Sequence, residues 1–157
     1  MIKELLRRTR FAKFTQDAIG SIFIYPHQSV SVLHCGAWHG EEFDQYKLLG
    51  VDDIYWVEAQ PDACQFLRAK FTDRCVFEGA VSSQVGLKVN FQITTNKLSS
   101  SMLHINENNE WNIKSESAVT VETITIDKIM EILERRNQEL PNCLIVDVQG
   151  SELSALV

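Results

Sequence analysis

Two acids and a glycine turn carry the chemistry that this sequence could perform. The stretch VSVLHCGAWHGEEF, residues 30–43, leaves an apolar run at Gly36 and meets a second glycine at Gly40. Such a turn lets backbone N–H groups come close to a ligand, although tight helix–strand packing would also call for it. The next apolar run, DIYWV, ends at Glu58. That is about 20 residues on, the distance at which a nucleotide-binding unit sets a carboxylate on the hydroxyls of a ribose. The plainer reading of Glu58 is ordinary exposure at a strand end. Glu78, Gly79 and Ala80 follow the third run and suit either the adenine side of such a site or a plain turn. Asp147 lies in LIVDV, just before Gln149 and Gly150. A carboxylate in so apolar a strand needs partners, and it fits a general base for an acceptor hydroxyl or a group that orients the reacting centre. Glu152 could assist it. A metal shared by Asp147 and Glu152 would be short of ligands, so none is expected. His39 and His104 are alternative bases, against the reading of plain loop histidines.

These residues need elements to hold them. Ser29 to His34 reads as a short valine-rich strand and Glu41 to Leu49 as a helix, with Phe43, Tyr46 and Leu49 on one face and Gly50 just past its end. Asp53 to Val57 is a second strand. Pro61 to Phe71 is a helix with proline at its first position and Phe66, Leu67 and Phe71 as its apolar face. Cys75 to Phe77 is a third strand. Short buried strands alternating with helices imply a parallel sheet. The period then changes to two: Leu87, Val89, Phe91 and Ile93 alternate with polar residues, as do Val119 and Val121. These segments are expected to pair or to extend a sheet edge. The polar stretch 94–117 between them is long for a compact domain, and with Trp111 it reads as a lid. Ile126 to Arg136 is a helix capped by Thr125, and Cys143 to Val148 is another buried strand that ends before Gly150.

Composition narrows the classes. The chain has 157 residues, 45% hydrophobic and 23% charged, which suits one globular domain with a core. The formal charge of −6 argues against a nucleic-acid partner, which needs clustered Lys and Arg. The basic cluster Lys3, Arg7, Arg8, Arg10 and Lys13 reads as the solvated face of an N-terminal helix and connector over residues 1–28. The 4 cysteines have no C-x-x-C spacing and read as reduced, mostly buried thiols of a cytoplasmic protein. No apolar run is long enough to span a membrane.

The turn also selects its ligand. A dinucleotide site normally shows G-x-G-x-x-G, whereas here Glu41 and Glu42 follow Gly40 and would repel a pyrophosphate. A nucleoside without phosphates fits better, and S-adenosylmethionine is one. Beyond this, the chain resembles the FkbM-type S-adenosylmethionine-dependent methyltransferases. VSVLHCGAWHGEEF is similar to their V-L-D-V-G-A-N-x-G segment. IYWVEAQPDACQFL, CVFEGAVSSQVGLKVNF, LSSSML, VTVETITIDKIM and LIVDVQGSELSALV resemble further segments, in order, from about residue 29 to the last residue.

The resemblance implies an α/β Rossmann-like methyltransferase sandwich over residues 29–157, with a mainly parallel sheet and an inserted β pair. It implies S-adenosylmethionine held by Gly36, Ala37, Trp38, Gly40, Glu58, Ala59, Glu78, Gly79 and Ala80, with Asp147 and Glu152 catalytic. The acceptor it implies is a hydroxyl on a sugar or other small molecule. The chain departs from the family at His34, where an acid that helps organise the cofactor's tail is common, and at Trp38 and Ile145, where a small polar residue and a lysine are common. Those departures leave open a nucleoside-binding homologue without turnover, and an NAD-binding domain is the remaining alternative. The seven strands usual in this fold are not all present, so the sequence reads as a chain cut short after its fourth core strand. The strand at Leu144 to Val148 would then be an edge that invites self-association.

Overall fold

The computed structural model describes residues 29–104, 106, 110 and 112–156, together with the backbone of 10–12 and 22–24. Strands β3 (Ser31–Cys35), β4 (Asp53–Glu58), β5 (Val76–Glu78) and β9 (Cys143–Val146) form a parallel sheet in the order β5-β4-β3-β9. Helix α1 (Phe43–Leu48) links β3 to β4, α2 (Pro61–Lys70) links β4 to β5, and α3 (Ile126–Arg135) precedes β9. A short helix, α4 (Glu152–Ala155), follows β9.

Alternation along each strand sends side chains to two buried faces. Val32, Trp56 and Ile145 pack with Tyr46 of α1 and Leu67 of α2 on one face. Leu33, Cys35 and Val57 pack with Ile129 and Leu133 of α3 and Ala155 of α4 on the other. The result is a three-layer α/β sandwich with a mainly parallel sheet. A second sheet adds β6 (Ala80–Val81), β7 (Lys88–Thr94) and β8 (Ser115–Ile124) in the order β6-β8-β7. The two period-2 segments pair antiparallel with each other, Phe91 opposite Val119.

The local signals explain the element ends. Gly50, at φ +78°, closes α1: its N–H donates to the Lys47 carbonyl and the Val51 N–H to the Tyr46 carbonyl, the two bonds of a Schellman turn. Thr125 Oγ1 accepts from the Lys128 N–H at 3.1 Å and starts α3.

Three expectations need correction. Arg10–Ala12 (β1) is not helical; it pairs antiparallel with Ile22–Ile24 (β2), where β-branched isoleucines favour a ladder. The rest of the basic N-terminal segment, Trp111 of the expected lid and Val157 lie outside the described residues. Helix α2 buries Ala63, Cys64 and Leu67, and leaves Phe66 46% exposed, because small residues let the helix sit close to the sheet. The last core strand ends at Val146, so Asp147 is a half-buried residue of the following turn rather than a strand residue. Strand β9 pairs only with β3 among the described residues, and Leu144 on it is 41% exposed.

Candidate functional site

The chain runs from β3 to β4 and β5 on one side, then returns to place β9 on the other side of β3. The carboxyl ends of β3 and β9 therefore mark the switch of strand order, where open α/β sheets bind ligands. Gly36 follows β3 and Asp147 follows β9, and the two are in backbone contact. A Cβ on Gly36, at φ +87°, would overlap the Asp147 carbonyl oxygen and lie 2.8 Å from its carbonyl carbon. Glycine is required here by the backbone of the turn that follows β9. The turn is pinned to β4 as well, since the N–H groups of Gly36 and Ala37 both donate to the Val57 carbonyl, at 2.9 and 3.1 Å.

A cavity of about 470 Å³ opens over this turn, a size that suits a nucleoside-sized ligand. Its wall includes Gly36, Ala37, Trp38, Glu58, Ala59, Gly79, Ala80 and Asp147 of the residues singled out in the sequence. Gly40, Glu78, Glu152 and the alternative bases His39 and His104 lie outside it. Gly40 sits against α2, where a Cβ would come 2.8 Å from Phe71 Cε2 and 3.2 Å from Leu67 Cδ2, so its surroundings are those of close packing. Glu78 is exposed and bonds Arg68 at 2.7 Å. Glu152 Oε1 accepts the N–H groups of Val148 and Gly150, at 3.2 and 3.0 Å, and so holds the turn that carries Asp147.

Glu58 is 5% exposed and has unexpected partners. Oε1 accepts the N–H groups of Ala59 and Gln60, both at 2.8 Å, and Oε2 accepts the Trp38 N–H at 2.7 Å. Burial pushes its proton affinity up, and the three N–H bonds oppose that. This carboxylate thus fastens the glycine turn to the end of β4. Trp38 needs that anchor, because φ +45° is a strained conformation for a bulky residue. Its ring stacks on His39 at 4.2 Å, and His39 stacks on Phe66 at the same separation.

His34 does not line the cavity. It is 1% exposed, lies between Tyr46 and Trp56, and shares a 2.9 Å hydrogen bond with the Tyr46 hydroxyl at Nδ1. Burial lowers its pKa to about 4, so the ring is neutral near pH 7. Ile145 is buried in the same apolar cluster. Burial, and then the neighbouring Glu152, push the proton affinity of Asp147 up, while Gln149 Nε2 donates to Oδ1 at 2.8 Å and opposes the shift.

Sequence reasoning missed Glu41, Glu42, Gln60 and Lys97 as wall residues. It noticed the two glutamates for their charge alone. The serine-rich patch does reach the site: Lys97 to Ser100 and Met102 close one side. Gln60 Nε2 ties that segment by bonding the Lys97 carbonyl at 3.1 Å, and Ser101 Oγ donates to the Gln149 carbonyl at 3.0 Å.

The family model of the methyltransferase FkbM domain matches residues 34–157. No curated protein and no solved structure matches the chain. The chain belongs to the FkbM methyltransferase family. No helix among the described residues is long and apolar enough to cross a membrane.

Proposed function

We propose that residues 29–157 form one unit that binds S-adenosylmethionine in the 470 Å³ cavity and methylates a hydroxyl of a small molecule or carbohydrate. The observation that carries this reading is the charge of the wall. Glu41, Glu42, Glu58 and Asp147 line it against one ammonium, Lys97, which is bonded to Glu116 at 2.6 Å. Such a wall attracts a cationic nucleoside and repels a pyrophosphate, which disfavours a dinucleotide. S-adenosylmethionine, when bound, supplies a methyl group on a good sulfonium leaving group. The chain's own residues then have three tasks. Gly36, Ala37 and Trp38 present backbone at the switch point, Glu58 and Ala59 form the ribose side, and Gly79 and Ala80 form the adenine side. The Lys97–Met102 segment covers the site and limits water. Asp147 takes the proton of the acceptor hydroxyl at Oδ2, the oxygen that Gln149 does not hold, and its raised proton affinity suits it to that role. Glu152 positions it by holding the turn.

Calorimetric titration of S-adenosylhomocysteine into the chain tests the reading, with Glu58→Ala as control and NADH as competitor. Binding that the control abolishes and NADH does not displace supports it. A folded chain that binds nothing, or binds NADH instead, overturns it.

A further inference from the structure

We infer that Glu42 is the carboxylate that receives the α-ammonium group of the ligand's amino-acid tail, in place of the acid missing at position 34; this rests on the cofactor reading above. Position 34 cannot supply the charge. Its imidazole is enclosed by Tyr46 and Trp56, its Nδ1 is engaged by the Tyr46 hydroxyl, and it does not line the cavity. Glu42 stands on the cavity side of that ring. Its Oε2 is 4.0 Å from His34 Nδ1, and the residue lines the cavity immediately before α1.

Glu42 is also short of positive charge. Burial raises its proton affinity, repulsion from Glu41 and Asp147 raises it further, and Lys70 and its own backbone N–H only partly offset this. Among the described residues no Lys or Arg nitrogen lies within 4.0 Å of Glu42 or Asp147, and the near ring of His34 is neutral. A half-buried carboxylate facing a like charge across a cavity wall is stabilised by a cation from the ligand. An ammonium group suits the place better than a metal ion, since no group of three or more His, Cys, Asp or Glu among the described residues could hold one. The α-ammonium of an amino-acid tail brings one charge and three N–H donors, and it relieves the Glu42–Asp147 repulsion while Asp147 remains free to act as base.

The test compares two ligands that share adenine and ribose. S-adenosylhomocysteine carries the amino-acid tail, and 5′-methylthioadenosine lacks it. Calorimetry on the wild-type chain and on Glu42→Gln should show S-adenosylhomocysteine weakened roughly ten- to a hundredfold by the substitution, the loss of one charge-assisted hydrogen bond, with 5′-methylthioadenosine within about twofold. Retained 5′-methylthioadenosine binding also reports that the variant is folded. Equal weakening of both ligands, or of neither, overturns the assignment to Glu42. A wild-type chain that binds neither ligand overturns the cofactor reading itself, and the assignment with it.

Discussion

Replacing Gly36 by alanine separates the two demands that the turn makes on its first glycine. The first demand is conformational: at φ +87° a residue with a Cβ lies in the left-handed region, at a cost of about 1–2 kcal/mol. The second is spatial. The new methyl would occupy the place of the Asp147 carbonyl oxygen, and that carbonyl is backbone, fixed by the Asp147 N–H to Cys35 carbonyl bond at 2.9 Å and by the β3–β9 ladder. Relief requires the end of β9 to move away from β3. That movement strips at least one buried hydrogen bond, worth about 1 kcal/mol net, and opens packing at Val146 worth about as much again. The expected total is about 3–4 kcal/mol, in the range reserved for core disruption. Gly50 provides the control, because it has a similar φ of +78° and nothing lies within 4 Å of the place a methyl would take, so Gly50→Ala should cost only the conformational part, about 1–2 kcal/mol. Urea unfolding of both variants measures the difference. Equal shifts in midpoint for Gly36→Ala and Gly50→Ala would refute the contact between the two strand ends, and with it the geometry of the switch point.

Two further substitutions probe buried titration. His34 falls from 6.5 to about 4 on folding, so the unfolded chain takes up a proton first as pH drops, and stability is lost between those values. At about 1.36 kcal/mol per pKa unit the loss is about 3 kcal/mol, and His34→Gln, whose amide oxygen can still accept the Tyr46 hydroxyl, should remove that slope from a plot of unfolding free energy against pH; an unchanged slope refutes the assignment. Glu58→Gln replaces one acceptor oxygen by an amide nitrogen that faces the Trp38 N–H or those of Ala59 and Gln60, and should cost about 1–3 kcal/mol in thermal or urea unfolding. The wild-type carboxyl is harder to ionise when folded, so it favours the fold on the acid side and loses that advantage as pH rises through its folded value. The glutamine variant should lack this component, and a variant as stable as wild type would show that Glu58 does not anchor the turn.

Much of the fold was legible because its signals are local. Valine-rich runs bounded by glycine, the i, i+3, i+4, i+7 spacing of Ile126, Ile129, Met130 and Leu133, the proline at the start of α2 and the glycine after α1 each act within a few residues. The alternation at Leu87–Ile93 and Val119–Val121 likewise marked two half-exposed strands expected to pair or to extend a sheet edge, and the antiparallel direction came from the structure. What was not legible depends on partners distant in the chain. Gly36 is constrained by Asp147, from the far end of the sequence. Glu58 reads as a ribose acid by its place after a strand, yet its three hydrogen bonds go to backbone N–H groups on two turns. Gly40 and Glu78 match the family's segments by position, but their nearest neighbours are Phe71 and Arg68 of a helix–strand junction. On α2, hydrophobicity favoured Phe66, while proximity to the sheet favoured the smaller Cys64, and proximity decided the outcome.

The cavity gathers carboxylates that the fold itself disfavours. Glu42, Glu58 and Asp147 all hold their protons more tightly here than in water, and burial is the first cause in each case. Each therefore weakens the fold at neutral pH relative to mild acid, the opposite of a carboxylate placed for stability. For Glu58 the three N–H bonds give a structural return. Glu42 and Asp147 have no ammonium or guanidinium nitrogen within 4.0 Å among the described residues, and Lys70 and a backbone N–H for Glu42, and Gln149 for Asp147, offset their burial only in part. A cationic ligand would offset it, and the linkage has a definite sign. Ligand affinity should rise with pH as these groups ionise, over the same range in which they withdraw their own contribution to the free chain's stability, so the stabilisation gained on adding S-adenosylhomocysteine should be larger at pH 7 than at pH 5. His34 does not reverse this, because it is neutral in the folded chain at both values and contributes to the unfolded state alone. A stabilisation by ligand that is equal at the two pH values would mean that the carboxylates of the wall do not meet the ligand's charge.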